Sequence, residues 1–196
     1  MNGSRVGAVS PAKRGAMTVY AALLRGINLG ARNKVAMPAL RSLVESVGHE
    51  DVQTYIQSGN VVFKTRSGEA TEIASTLEDV IAKELGFRVA VVVRTQQELK
   101  RVAGTNPFLA AGADPSALHV VFLGSAPSKA SVAKLDPDRS PPDEFAAAGA
   151  EVFLHCPNGF GRSKLGLDYF ERALGGPATV RNWRTVTKLA EMMASG

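Results

Sequence analysis

The residues of this chain best suited to chemistry lie in the loop of residues 23–35, which reads LLRGINLGARNKV. The loop contains two glycines, two asparagines and three cations, but no acid. Glycines let backbone N–H groups turn toward a common point, and cationic side chains can then close on a phosphate or carboxylate. We therefore predict that Arg25, Asn28, Asn33 and Lys34 bind an anion. The loop matches neither the Walker nor the dinucleotide-binding pattern, and a plain connector from strand to helix is the alternative.

A second glycine-rich loop, residues 159–166 with the sequence GFGRSKLG, repeats this chemistry. Arg162 and Lys164 supply its positive charge, and a helix is predicted to follow it. If the chain folds into two similar halves, the two loops could face one cleft between them. Ser163 is also suited to cap the following helix, which explains the loop without any ligand.

The closing segment, residues 182–193, has two stripes at helical spacing. Apolar residues including Trp183 fall on one side, while Arg181, Arg184 and Lys188 fall nearly opposite at about 100° per residue. We expect the apolar stripe to be core and Trp183 to be a packed anchor. The basic stripe is either a solvated face or an anion-contacting surface that includes Arg181 and Arg184.

Residues typical of catalysis or metal binding do not form a recognisable set. The three histidines, His49, His119 and His155, have no metal-ligand spacing. His155 and Cys156 are neighbours on a predicted strand, so their side chains point to opposite faces and cannot act as base and nucleophile. We predict no metal and no cofactor and assign no catalytic residue. The sequence does not decide between an enzyme and a binding protein.

The segment Gln57-Ser58-Gly59-Asn60 is typical of a hairpin turn, because glycine and asparagine tolerate positive φ and strand-like alternation flanks it. A functional alternative has Gln57 and Asn60 line one site with Asn28 and Asn33. We expect this turn and the loop after the first strand to lie at opposite ends of the sheet, which favours the structural interpretation.

Hydrophobic periodicity predicts the elements that must position these residues. In the first half the order is strand, helix, strand, strand, helix, strand, which is that of the split βαβ, or ferredoxin-like, unit. The second half repeats the order, with a connecting helix before it and a closing helix after it. The predicted fold is α+β: two tandem ferredoxin-like halves with antiparallel sheets and a C-terminal helix. The expected division is a disordered tail at 1–16, a first domain at 17–104 and a second at 105–196.

Composition limits the function less than it first suggests. The chain has 196 residues and a formal charge of +5. Arg5, Lys13 and Arg14 belong to the tail, so the charge of the remaining body is close to neutral and is weak support for nucleic-acid binding. No apolar run reaches the roughly 18 residues that a membrane span needs. With a single cysteine, the sequence predicts a soluble, cytoplasmic protein without membrane association.

Four motifs in fixed order, LLRGINLG, YIQSGNVVF, NPF and TVRNWRTVTKL, extend the interpretation. With them the chain resembles a bacterial family known as domain of unknown function 1697, over residues 18–193. The resemblance implies two ferredoxin-like halves, and it brings no reaction, cofactor or catalytic residue with it.

The first functional hypothesis is a non-catalytic binder of an anionic ligand, either a phosphorylated small molecule or a nucleic-acid backbone. Aromatic content is only 6%, and no strand has the pattern of base-stacking RNA-recognition folds, so backbone contact is favoured over base readout. The alternatives are an enzyme acting on a phosphorylated or nucleotide-like metabolite, and a scaffold whose sheet edge binds another protein or a second copy of the chain. The sequence leaves the oligomeric state undetermined.

Overall fold

The first strand is apolar on both faces because it lies in the middle of a covered sheet. In the computed structural model, which describes residues 16–30, 33–66 and 68–195, β1 (Met17–Leu24) lies between β3 (Asn60–Arg66) and β4 (Val91–Thr95). Strand β2 (Glu50–Tyr55) pairs with the far side of β3, so the strand order is β2-β3-β1-β4. Every pairing is antiparallel.

The second sheet has the same plan, and its central strand is β5 (Leu118–Leu123). The strand order is β6-β7-β5-β8, again antiparallel throughout. The other strands are β6 (Glu144–Ala148), β7 (Glu151–His155) and β8 (Ala178–Asn182).

Helices cover both sheets and fill the space between them. Two clusters lie on the outer sides, one beneath α1 and α2 and the other beneath α5 and α6. A third cluster joins the inward faces of both sheets to α3 and α7. The helices are α1 (Met37–Ser46), α2 (Ala70–Leu85), α3 (Gln96–Gly104), α4 (Pro107–Ala110), α5 (Lys129–Val132), α6 (Leu167–Leu174) and α7 (Trp183–Ala194).

Trp183 belongs to the central cluster and is only 4% exposed, as expected for a packed anchor. Its position between two sheets follows from the amphipathic pattern of α7, which presents an apolar stripe to the core. The protein is therefore an α+β structure with two four-stranded antiparallel sheets and a C-terminal helix.

The cap of one helix and the placement of Arg181 differ from the prediction. Helix α6 begins at Leu167, and Gly166 stands at its N-cap. Ser163 does not cap it, because its hydroxyl accepts the N–H of Leu165 instead. Strand β8 extends to Asn182, so Arg181 belongs to a strand and not to the closing helix.

The predicted disordered tail falls almost wholly outside the described residues. Within the part of the chain that the structure describes, no helix is both long and apolar enough to cross a membrane.

Candidate functional site

Arg181 lies inside the protein, where β8 reaches the first half. Its side chain is buried, and its Nη2 donates to the carbonyl oxygens of Leu24 at 2.8 Å and Ser58 at 3.0 Å. Nε donates to the side-chain oxygen of Asn60. Burial without a carboxylate partner lowers the pKa of Arg181 to about 10. The prediction that Arg181 lies on an exposed basic stripe is wrong, because strand β8 turns it toward these carbonyls.

Asn60 is the matching group on the other side of this contact, and it is fully buried. Its Nδ2 donates to the carbonyl of Tyr55 at 3.0 Å and to the hydroxyl of Ser58 at 2.9 Å. One amide therefore orders the β2–β3 turn with its nitrogen and accepts the Arg181 guanidinium with its oxygen. Glycine is required next to it, since Gly59 has φ +73° and an added Cβ would lie 2.7 Å from the Leu24 side chain.

The loop after β1 and the β2–β3 turn lie at the same end of the first sheet, so the expectation of opposite ends is wrong. Strands β1 and β3 are antiparallel, which places the end of one beside the start of the other. The N–H of Leu24 donates to the carbonyl of Gly59 at 2.8 Å. Asn28 Nδ2 donates to the carbonyl of Gln57, also at 2.8 Å.

Asn28 holds the first loop closed. It adopts a left-handed backbone conformation with φ 57°, its Oδ1 accepts the N–H of Val35 at 2.8 Å, and its Nδ2 also donates to the Val35 carbonyl at 2.9 Å. The side-chain amide of Asn28 thus stabilises the loop by bonding to protein groups. The neighbouring Asn33 and Lys34 are exposed on the same loop.

Arg25 is already paired with acids of the second half. Its Nη2 lies 2.7 Å from Glu171 Oε2 and 3.2 Å from Asp168 Oδ1, both on α6. Glu171 in turn accepts the N–H of Ala178 at the start of β8. The pairing neutralises Arg25 and attaches the first loop to the helix that follows the second glycine-rich loop.

The other predicted cations are exposed: Arg162, Lys164 and Arg184 join Lys34 in this respect. The backbone of Lys164 makes two hydrogen bonds: its carbonyl accepts from Arg139 Nε, and its N–H donates to the Ser140 hydroxyl. Across residues 16–30, 33–66 and 68–195, these four cations form no salt bridge.

The structure joins the segments that carry these cations at the end of β1. Leu24 binds Arg181, which lies three residues before Arg184, and Arg25 binds Asp168, which lies four residues after Lys164. Lys34 adjoins Val35, where Asn28 closes the loop. These contacts attach the segments that carry the cations to the end of β1 and the loop that follows it.

Sequence reasoning missed two exposed apolar residues beside this junction. Leu29 is 71% exposed and Ile56 is 50% exposed, and each adjoins one partner of the Asn28–Gln57 hydrogen bond. Ile56 has φ 48°, a conformation that a β-branched residue rarely adopts. No periodicity indicates such exposure, because both residues stand in turns.

Sequence reasoning also missed Arg94, which is only 4% exposed. Its Nε donates to Glu151 Oε1 at 2.7 Å, and its Nη2 donates to the carbonyls of Leu123 at 2.7 Å and Ala150 at 3.1 Å. Arg101 adds a second contact to Glu151 at 3.0 Å. The available signal was positional: Arg94 directly precedes the helix-capping Thr95, as Arg181 precedes the capping Asn182.

The groups that could supply nucleophilic chemistry lie elsewhere. Cys156 is buried, and burial raises the pKa of its thiol to about 11, so the thiolate is scarce at neutral pH. His155 faces Glu144 at 3.1 Å on the β6–β7 hairpin. Among the described residues, no group of three or more histidine, cysteine or acidic side chains is placed to hold a metal ion.

Three of the four motifs that carry the family resemblance meet at Arg181, which bonds to Leu24, Ser58 and Asn60. A family model described as "Protein of unknown function (DUF1697)" matches residues 17–153. The chain belongs to the DUF1697 family. The predicted resemblance is confirmed, although the match ends before the fourth motif. No curated protein matches this DUF1697 chain.

A solved structure extends the comparison to nearly the whole chain. The DUF1697 chain is similar to the conserved bacterial protein SP0830 from Streptococcus pneumoniae, with a TM-score of 0.66 and 24% sequence identity. The alignment covers 91% of this chain and 99% of the other. At this identity the likeness shows the fold alone.

Proposed function

We propose that this protein binds the phosphate backbone of a nucleic acid through four exposed cations, Lys34, Arg162, Lys164 and Arg184. The observation that carries the proposal is their exposure without acid partners among the described residues, on segments that attach at Leu24, Arg25 and Asn28. Cations left unpaired on a surface are available to phosphates, which release counterions when they bind.

Two of the predicted ligand residues, Arg25 and Arg181, serve this surface indirectly. Their guanidinium groups bind protein carboxylates and carbonyls, so they hold the cation-bearing segments in place instead of meeting the ligand. Asn28 has the same supporting role through Val35. Asn33 is exposed beside Lys34 and can donate an amide hydrogen bond to a phosphate oxygen.

An extended ligand is favoured over an enclosed metabolite by the position of the cavities. Among the residues that the structure describes, five cavities of 390 to 600 Å³ are lined by residues other than the four cations. Enzymes and metabolite binders generally surround their ligands in a concavity, whereas a nucleic-acid backbone needs an open basic surface. The exposure of the four cations supports the second kind of surface.

The proposal includes the architecture and location that the sequence predicts. We infer that residues 17–104 and 105–196 are two ferredoxin-like domains, and the matching strand orders β2-β3-β1-β4 and β6-β7-β5-β8 support this inference. A cytoplasmic location in a bacterium is supported by the single, buried cysteine and by the bacterial origin of SP0830.

Fluorescence anisotropy with a labelled single-stranded RNA tests the binding proposal. We expect affinity to fall steeply between low and physiological salt, with a log–log slope approaching about −3 if all four cations meet phosphates of a single strand. A variant with Lys34, Arg162, Lys164 and Arg184 changed to Gln should lose most of the binding and of the slope.

A matched variant removes the same charge elsewhere. Arg66, Lys83, Lys100 and Lys134 are exposed, and Arg66 lies at the opposite end of β1 from Leu24. Changing these four to Gln should leave the slope nearly unchanged. Equal losses in both variants, or displacement of the RNA by a mononucleotide, would contradict recognition of the backbone by this surface.

A further inference from the structure

Four strands have only one hydrogen-bonded neighbour among the described residues, because each sheet has two edges. Strands β4 and β8 are the edges where the sheets meet, and they contact each other. The remaining edges are β2 in the first sheet and β6 in the second. Such an edge presents unpaired N–H and C=O groups and can pair with another chain unless it is protected.

Edge strand β2 is protected against pairing with another chain. Its pairing with β3 is irregular between Glu50 and Gln53, and Asp51 has φ 52°. Asp51 is also paired with Lys64 across the irregular part at 2.8 Å. A bulged edge with charged side chains resists the addition of a strand.

Strand β6 has no bulge, and its one charged residue, Glu144, lies at its first position, opposite His155. Its five residues, EFAAA, pair with β7 in an uninterrupted register from Glu144 opposite His155 to Ala148 opposite Glu151. The strand contains neither lysine nor proline, and three of its five side chains are methyl groups. A regular edge with small side chains offers little obstacle to an incoming strand.

The register shows which backbone groups of β6 face outward. On β7, Ala150 accepts from Leu123 and Cys156 donates to Ala117, so the even-numbered residues of β7 bond toward β5 and the odd-numbered ones toward β6. The odd-numbered residues lie opposite Glu144, Ala146 and Ala148. The N–H and C=O groups of Phe145 and Ala147 therefore face away from the sheet.

We propose that β6 pairs antiparallel with β6 of a second copy of this chain, with Ala146 opposite Ala146 at the two-fold axis. Phe145 of each copy then lies opposite Ala147 of the other, and the two pairs exchange four backbone hydrogen bonds. The second sheet of one copy and the second sheet of the other, with four strands each, then form one sheet of eight strands. The alanine side chains at the axis allow the close approach that a non-hydrogen-bonded pair requires.

Charge at the two ends of β6 favours a second copy as the occupant. Asp138 is exposed at a 390 Å³ cavity that Glu144 and Phe145 also line, at the start of the strand. Lys129 is exposed at a 480 Å³ cavity that Ala147 also lines, near the end of the strand. Antiparallel pairing brings the acidic end of one copy to the lysine end of the other, so opposite charges face each other twice.

Sedimentation equilibrium of the full chain, from micromolar to submillimolar concentration, tests this pairing. We expect wild-type protein to reach twice the mass of one chain. Ala146→Glu and Ala146→Lys each place like charges at the axis and should sediment as single chains at the same concentrations. An equimolar mixture of the two variants should recover the doubled mass, because opposite charges then meet at the axis.

Two further variants control for folding and for the location of the interface. Gln53→Glu puts the same charge on edge strand β2 and should leave the doubled mass unchanged. Ala147→Pro removes only an outward-facing N–H and should weaken dimerisation, whereas Ala147→Ser should not. Wild-type protein with the mass of one chain throughout, or Ala146→Glu and Ala147→Pro proteins that remain dimeric, would overturn the proposal.

Discussion

Arg94 and Arg181 occupy corresponding positions in the two halves, yet only one of them faces a carboxylate. Each lies near the end of the last strand of its half and reaches carbonyl oxygens at the end of the other half's central strand, Leu123 or Leu24. The side-chain partner in the other half is Glu151 for Arg94 and Asn60 for Arg181. Two reciprocal contacts thus hold the halves together with different electrostatics.

The difference follows from the turns that the partners adjoin. Gly149 and Ala150 alone separate β6 from β7, whereas four residues separate β2 from β3 and leave the Tyr55 carbonyl in need of a donor. Asn60 supplies that donor through Nδ2, which a carboxylate could not do. The longer turn therefore requires an amide, and its arginine is held by neutral oxygens alone.

The largest loss of stability is expected at the Arg94 site, where Glu151 balances the buried positive charge. Glu151→Gln leaves the buried Arg94 without its counter-ion, and breaking a buried pair in this way costs about 3 to 5 kcal/mol. Urea unfolding at pH 7 measures the loss. Arg101→Gln is the control, since Arg101 is half-exposed and solvent screens its contact to about 1 kcal/mol or less. A loss near that of the control for Glu151→Gln would remove the distinction between the two arginine sites.

An intermediate effect is expected at the uncharged site. Asn60→Ala removes the acceptor for Arg181 and the donor to Tyr55, and a buried polar group left unpaired costs about 1 to 3 kcal/mol. The free energy of unfolding measures this change too.

Asn60→Asp sharpens the comparison, because it makes the Arg181 site resemble the Arg94 site. It supplies a counter-ion but sets a carboxylate oxygen against the Tyr55 carbonyl, so we expect a net loss of stability. A variant more stable than wild type would show that the β2–β3 turn does not demand an amide.

The smallest effect concerns one histidine in each half. His49 stacks on Phe63 and His119 on Phe160, and burial lowers the pKa of both from the ordinary value of 6.5. The unfolded chain takes up protons near pH 6.5 while the folded chain does not. The contribution of these two histidines to the free energy of unfolding is therefore fully present above pH 6.5. It declines as the pH falls through the interval between 6.5 and the lower folded pKa.

Urea midpoints measured across this interval test the pH effect. His49→Phe should make the decline shallower, because the substituted ring cannot bind a proton. An unchanged slope in this variant and in His119→Phe would assign the decline to other groups.

Much of the fold was predictable because short-range patterns specify it. Alternation and helical spacing placed the strands and helices, and the apolar stripe of Trp183 correctly indicated core. The candidate site was less predictable. Arg25, Asn28 and Arg181 belong to the predicted region, but their polar groups bind protein partners 7 to 157 positions away in the chain.

The sequence by itself determined which segments become strands and helices, where glycine and asparagine turns separate them, and that the two halves share one order of elements. These are properties of neighbouring residues, whose spacing sets which faces are apolar. Only the tertiary structure decided which cations are exposed. The residues next to an arginine in the sequence do not reveal the partner of its guanidinium. Whether that group contacts water, a carbonyl or a carboxylate depends on which distant strand end packs against it.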